Sequence, residues 1–173
     1  FGLDALWADE SLRANNQRLL DYAAAGGTVI VQYNKFEFND AQYGPFAAKV
    51  GRERVTDENA EMKLLAPQHP VFNTPNTIGR ADWAGWVQER GLYFLDEAGR
   101  DPQYTDLIEF TEPFPYNQGV KRGALVEAKV GQGRWRGVLE QAAGAGVPAA
   151  LTQASADLDG LDGVPAQGEE VVV

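Results

Sequence analysis

The run Thr28-Val29-Ile30-Val31-Gln32-Tyr33, placed directly after Gly26-Gly27, is the feature that most restricts the fold. It is short, β-branched and apolar without alternation, the pattern of a strand covered on both faces as in a parallel sheet. Upstream, Asp9-Glu10-Ser11 reads as a helix start, with acidic groups near the positive end of the helix dipole. Leu12, Leu19, Leu20 and Ala23 then recur close to helical spacing, and the two glycines supply the stop. Before that helix, Leu3 and Leu6 flank a turn-like Asp4 and read as the end of a strand leaving the core. Strand end, helix, Gly-Gly and buried strand make a βαβ unit, which predicts an α/β fold. Phe1-Gly2-Leu3 offers neither an initiator Met nor a charged-then-apolar leader, so the chain is expected to be a fragment with a segment missing upstream.

Beyond the first strand, residues 34–51 are polar and aromatic, with Gly44-Pro45 marking a turn. Met62 to Leu65 reads as a short strand, and the three prolines of residues 67–75 predict irregular backbone. Asp82 is a candidate cap for a short helix carrying Trp83, Trp86 and Val87 and closed by Gly91. Leu92-Tyr93-Phe94 and Thr105 to Phe110 read as strands, and Pro113 to Gly119 as a loop. Ala124 to Val130, Gly131-Gln132-Gly133 and Arg134-Trp135 spell a β-hairpin. A nucleotide-binding glycine loop is disfavoured there, because that chemistry needs a helix N-terminus after the glycines and strand residues follow instead.

After Arg136 the character changes. Residues 137–173 hold no aromatic side chain and no Lys or Arg, and little in them can be buried. The expectation is a loosely attached, partly helical tail that does not complete the sheet, leaving an exposed apolar face that invites self-association. Asp157-Leu158-Asp159-Gly160-Leu161-Asp162 has hard oxygen ligands but lacks EF-hand spacing and its terminal Glu, so a solvated acidic tail is the reading.

Composition removes whole classes of chemistry. With no Cys, the chain can form no disulfide, thiolate metal site or thiol nucleophile. The net charge of −10 disfavours a nucleic-acid backbone or an anionic membrane surface as partner. No apolar run approaches the roughly 20 residues a membrane-spanning helix needs. His69 is the only imidazole, and Ser11 and Ser155 are the only serines, so neither a hydrolytic triad nor a local zinc ligand pair is assembled. A His fixing a loop by hydrogen bonds is the favoured role. The segment Asp82 to Phe94 is the densest in aromatic and polar groups. Its Trp pair either forms a sugar-stacking platform or fills the core, and burial is favoured, with Glu89 and Arg90 paired at the rim.

Several separated segments in order carry a resemblance: Leu19 to Asn34, Arg54 to Asn59, His69 to Asn76 and Asp82 to Phe94, with Gly123 to Trp135 matching a late strand pair. Together they resemble the extension C-terminal to the deacetylase domain of large bacterial PIG-L/LmbE-type proteins. That extension looks like a class I glutamine amidotransferase-like, or ThuA-like, flavodoxin-type domain. The resemblance implies a partial flavodoxin-like three-layer α/β fold with a mainly parallel sheet and a late β-hairpin. It covers residues 1–136, leaving 137–173 as an atypical tail. The deacetylase His-Pro-Asp-Asp-Glu motif is absent. The turn that would carry an amidotransferase Cys falls near Leu3-Asp4-Ala5, where no Cys exists.

The function expected from this combination is a non-catalytic accessory domain of a carbohydrate deacetylase, in substrate recognition or assembly, with no cofactor of its own. Candidate ligand-binding residues are Gln32, Tyr33 and Asn34 at the end of the first strand, with His69. Asp82, Trp83, Trp86, Gln88, Glu89 and Arg90 complete the set. The rivals are a stand-alone hydrolase using Asp82, Glu89 and His69 in a cleft, and a purely structural domain burying both Trp side chains. The expected partners are the neighbouring deacetylase domain, a carbohydrate and a second copy of the chain. The compartment stays open, with export as the family's habit.

Overall fold

The helix and the buried strand that the glycine pair separates are both present, and the glycines explain how the chain turns between them. A computed structural model describes residues 13–32, 35–57, 59–83, 91–138 and 170–172. Helix α1 (Asn16–Ala24) buries Leu19, Tyr22 and Ala23, the i, i+3, i+4 stripe of an amphipathic helix. Gly26 N–H donates to Ala23 O and Gly27 N–H to Tyr22 O, the paired bonds of a Schellman stop. Gly26 takes φ +123°, which a side chain would resist, and a Cβ on Gly27 would lie 2.1 Å from the Tyr22 ring. The expected helix start at residues 9–11 and the strand end before it lie outside the described residues.

Strand β1 (Thr28–Gln32) buries Thr28 through Val31, as its unbroken apolar run requires. Next come the short helix α2 (Glu37–Ala41) and strands β2 (Arg54–Val55), β3 (Glu61–Leu64), β4 (Gly91–Leu92) and β5 (Tyr104–Asp106). Strands β6 (Ile108–Glu112), β7 (Gly119–Lys121), β8 (Leu125–Val130), β9 (Gly133–Val138) and β10 (Glu170–Val172) complete the series. The principal sheet has the order β10-β1-β9-β8-β5. Strand β1 runs parallel to both β10 and β9, whereas β9 with β8 and β8 with β5 are antiparallel. The chain is thus a mixed α/β structure, richer in strand than in helix among the described residues. Its principal sheet is mixed where a mainly parallel one was expected. The reason is local: β8 and β9 are joined by the two-residue turn Gly131-Gln132, which forces them antiparallel, and β9 is also the neighbour of β1. Gly131 holds φ +56°, as the first central position of a type II′ turn demands, while Gly133 already pairs with Val130.

The strand predicted across Thr105 to Phe110 is divided between two sheets. Leu107 N–H donates to Leu125 O in the principal sheet, while Leu107 O accepts from Leu65 N–H. Beyond it, β6 belongs to the sheet β3-β6-β7. One core serves both sheets. Trp135 packs edge-on against Tyr104 and tilted against Phe38, and Phe94 stacks on Phe110.

Two findings differ from the expected tail. Strand β9 continues through Val138, and Glu170–Val172 forms β10 on the open edge of β1, with Thr28 opposite Glu170 and Ile30 opposite Val172. A buried β-branched strand leaves a row of backbone groups that a β-prone Glu-Val-Val segment can satisfy. Residues 139–169, including the acidic Asp157–Asp162 stretch, lie outside the described residues.

Candidate functional site

His69 is fixed from both sides. Pro70 opens the 3-10 turn Pro70–Phe72, and His69 precedes it with extended backbone at φ −65° and ψ 137°. The Val71 N–H donates to His69 Nδ1 at 3.3 Å, so the neutral ring carries its proton on Nε2, which lies 3.1 Å from Glu127 Oε1. Both ring nitrogens are engaged. In this arrangement neither has a free lone pair for a substrate proton or a metal ion.

Glu127 is the hub of the group. It stands opposite Arg136 in the β8–β9 ladder and accepts from Arg136 Nε at 2.8 Å on its other oxygen. Arg134 Nε lies 3.6 Å from the oxygen that meets His69. Arg136, only 6% exposed at its side chain, also donates from Nη1 to Glu170 Oε1 at 3.0 Å. The group ties the Pro70 turn, the hairpin and β10 together across one face of the sheet. Each buried charge of the group has an opposite partner. Among the described residues no cluster of three or more His, Cys, Asp or Glu could hold a metal ion.

Among the described residues the carboxylate that meets His69 is Glu127 rather than the Asp82 of the hydrolase reading. Asp82 is occupied elsewhere: its Oδ2 accepts the Gly79 N–H at 2.7 Å, reaching back from within the 3-10 turn Arg80–Trp83. It caps that turn as its third residue rather than as its first. Gln32 is the last residue of β1, half-buried opposite Val138. The Trp83 side chain, and Tyr33, Asn34, Trp86, Gln88, Glu89 and Arg90 entirely, lie outside the described residues. No family model, curated protein or solved structure matches this chain.

Sequence reasoning missed a second cluster beyond the carboxyl end of β1. Strands β2 and β4 pair Arg54 with Leu92, and the segments flanking them pair Val50 with Leu95. Residues 51, 52 and 53 thus face only 93 and 94, one residue too many for a regular ladder, which defines a β-bulge. Phe94 is bonded on both sides of it, its carbonyl accepting from Gly51 N–H and its N–H donating to Glu53 O. Opposite the bulge, Tyr93 has φ +60°, a left-handed conformation that costs a non-glycine residue about 1–3 kcal/mol. Gly51 has no room for a side chain, since a Cβ there would lie 1.6 Å from the Asp96 carboxylate. The bulge aims Arg52 at Phe36, with the guanidinium carbon 5.8 Å from the ring centroid, and Phe36 meets Tyr93 edge-on at 5.1 Å. Only counting the register of two short strands reveals this geometry; the sequence suggests a strand at Leu92-Tyr93-Phe94 but none at Arg54–Val55.

Two further carboxylates are buried for structural reasons. Glu109 is bonded by Lys63 and Arg122, which hold its carboxyl below the ordinary range. Burial would push the Glu112 carboxyl up, but N–H donors of Thr56, Phe114 and Asp57 and the Thr56 hydroxyl outweigh it and hold it low. Both act as anchors for backbone and cations.

Proposed function

We propose that this chain is a non-catalytic accessory domain of a PIG-L-type carbohydrate deacetylase, serving substrate recognition or assembly. The observation that supports it most is the engagement of both nitrogens of His69, by Val71 and Glu127, in a chain without Cys. An imidazole held in this way braces the sheet and is not poised for proton transfer. The finer reading of the fold as a ThuA-like, flavodoxin-type three-layer domain belongs to the same proposal. It draws support from the parallel pairings of β1 and from α1 packing against β1, β8 and β9.

The test is direct. The purified chain is analysed for bound zinc and assayed against N-acetylglucosaminyl substrates and activated esters, alongside His69→Asn. No stoichiometric zinc and no turnover above buffer are expected of either protein. Turnover that His69→Asn abolishes would replace this reading with the stand-alone hydrolase. An upstream His-Pro-Asp-Asp-Glu motif in the same reading frame would establish the parentage.

A purely structural interaction domain is the second reading, and the loop between β6 and β7 favours it. Tyr116 is 91% exposed and meets Phe114 edge-on at 5.6 Å, with Val120 exposed on the adjoining strand. Pro113 and Pro115 stiffen this turn, and Asn117 N–H closes it on Phe114 O. Among the described residues no helix is long and apolar enough to cross a membrane.

A further inference from the structure

Three chain segments converge where an α/β sheet most often binds its ligands. Strands β10, β1 and β9 run parallel, so their carboxyl ends lie at the same end of the principal sheet. Ligands of such sheets sit outside those ends, because the connections leaving them are free of the ladder and can be shaped. Phe36 stands in the connection that leaves β1, and it is 39% exposed. Arg52 and Tyr93 reach it from the bulged pair of segments.

The local backbone carries an extra residue on one segment and a left-handed Tyr93 on the other. Bulges and strained residues of this kind re-aim side chains and concentrate where a surface has a task. Here they direct a guanidinium over an aromatic ring. Among the described residues Arg52 makes no ion pair, and its guanidinium lies over the ring of Phe36. In a chain of net charge −10, an exposed guanidinium with no carboxylate partner among the described residues has its planar fork available.

We propose that Arg52, Phe36 and Tyr93 form a binding site for a small monoanion in which a carboxylate is carried on a ring. The guanidinium takes the carboxylate, and the two aromatic side chains take the apolar face or edge of the ring. A bare inorganic anion would leave the rings unused, and a neutral ring would leave the guanidinium unused. One guanidinium matches one negative charge, since the adjacent Glu53 is already paired with Lys121. The ring can belong to an aromatic acid or to a sugar acid, and both present the same pairing of charge and apolar surface. The site follows from this geometry alone and stands whether or not the chain is attached to a deacetylase.

Benzoate and glucuronate are the probes, with acetate, glucose and inorganic phosphate as controls, titrated into the full chain and followed by amide chemical shifts. At least one ring carboxylate is expected to bind about tenfold or more tightly than any control, with its largest shifts at Phe36, Arg52 and Tyr93. Benzoate ahead of glucuronate would mark an aromatic acid, and the reverse order a sugar acid. Arg52→Gln and Phe36→Ala are each expected to weaken that binding by about tenfold, with thermal melts that show the fold retained. Arg52→Lys, which keeps the charge and loses the fork, is expected to fall between. Binding unchanged in Arg52→Gln, controls that bind as well as the ring carboxylates, or no saturable ring-carboxylate binding would each overturn the proposal.

Discussion

Replacing Glu112 with Gln tests how far one buried carboxylate holds the second sheet to the loops around it. Glu112 ends β6 at 1% exposure. Its Oε2 accepts from Thr56 N–H at 2.5 Å, Thr56 Oγ1 at 3.2 Å and Asp57 N–H at 3.2 Å, with Asn117 Nδ2 at 3.4 Å. Its Oε1 accepts from Phe114 N–H at 3.1 Å. A Gln amide fits the same space, but its single oxygen must stay with the crowded side. Its NH₂ then faces the Phe114 N–H, so two donors are opposed in a buried place. Leaving a buried donor unmet costs about 1–3 kcal/mol, and the remaining bonds lose their charge assistance, so a loss of about 2–4 kcal/mol is expected at pH 7. Urea unfolding followed by Trp fluorescence measures it.

The same substitution carries a pH signature. The folded Glu112 carboxyl lies below its ordinary value of 4.5, so its contribution is complete above pH 4.5 and is lost as the pH falls through the folded value. The Gln variant has no such group, so the stability gap between the two proteins should narrow steadily below pH 4.5. A Gln variant within about 0.5 kcal/mol of the parent at pH 7 would refute the reasoning, and so would a gap that stays constant in acid.

Two other substitutions probe packing and titration. A Cβ on Gly133 would lie 2.1 Å from Gly27 O and 2.3 Å from Ala23 O, both backbone, so Gly133→Ala should cost about 1–3 kcal/mol or more. Gly79→Ala, where the space is open, should melt within a degree or two of the parent, and equal melts for the two variants would count against this packing. Tyr104 is buried and donates to Phe46 O at 3.0 Å, and its hydroxyl is pushed up to about 12. Because the folded value is the higher one, that stabilisation is complete below pH 10 and is lost as the pH rises through 12, a loss Tyr104→Phe should lack in alkaline unfolding.

The elements legible in the sequence are those a residue's own backbone preferences decide. Gly26-Gly27 ends α1 because one glycine adopts a positive φ and the other leaves room for Tyr22. The β-branched run makes β1, and Gly131 makes the hairpin turn, each from a few neighbouring residues. The expectation that His69 makes local hydrogen bonds agrees with its bond from Val71 N–H, made within the turn that Pro70 opens.

What the tertiary structure alone decided is partnership across long stretches of chain. Glu127 meets His69 from 58 residues away, and Glu112 meets Thr56 from 56. No local window ranks Glu127 above Asp82 for His69, because both are acidic and only packing of the sheet chooses. The same holds for Leu107, where the chain leaves one sheet for another, and for Glu170–Val172, which reads as tail yet pairs with Thr28–Ile30. The bulge at Arg52 is a difference of one residue between two paired segments, and so it belongs to neither segment by itself. Local conformation is set by sterics that act within a few bonds. Strand order, ion-pair choice and register are set by competition among distant groups for the same burial and hydrogen bonds, and that competition is resolved only when the whole chain packs.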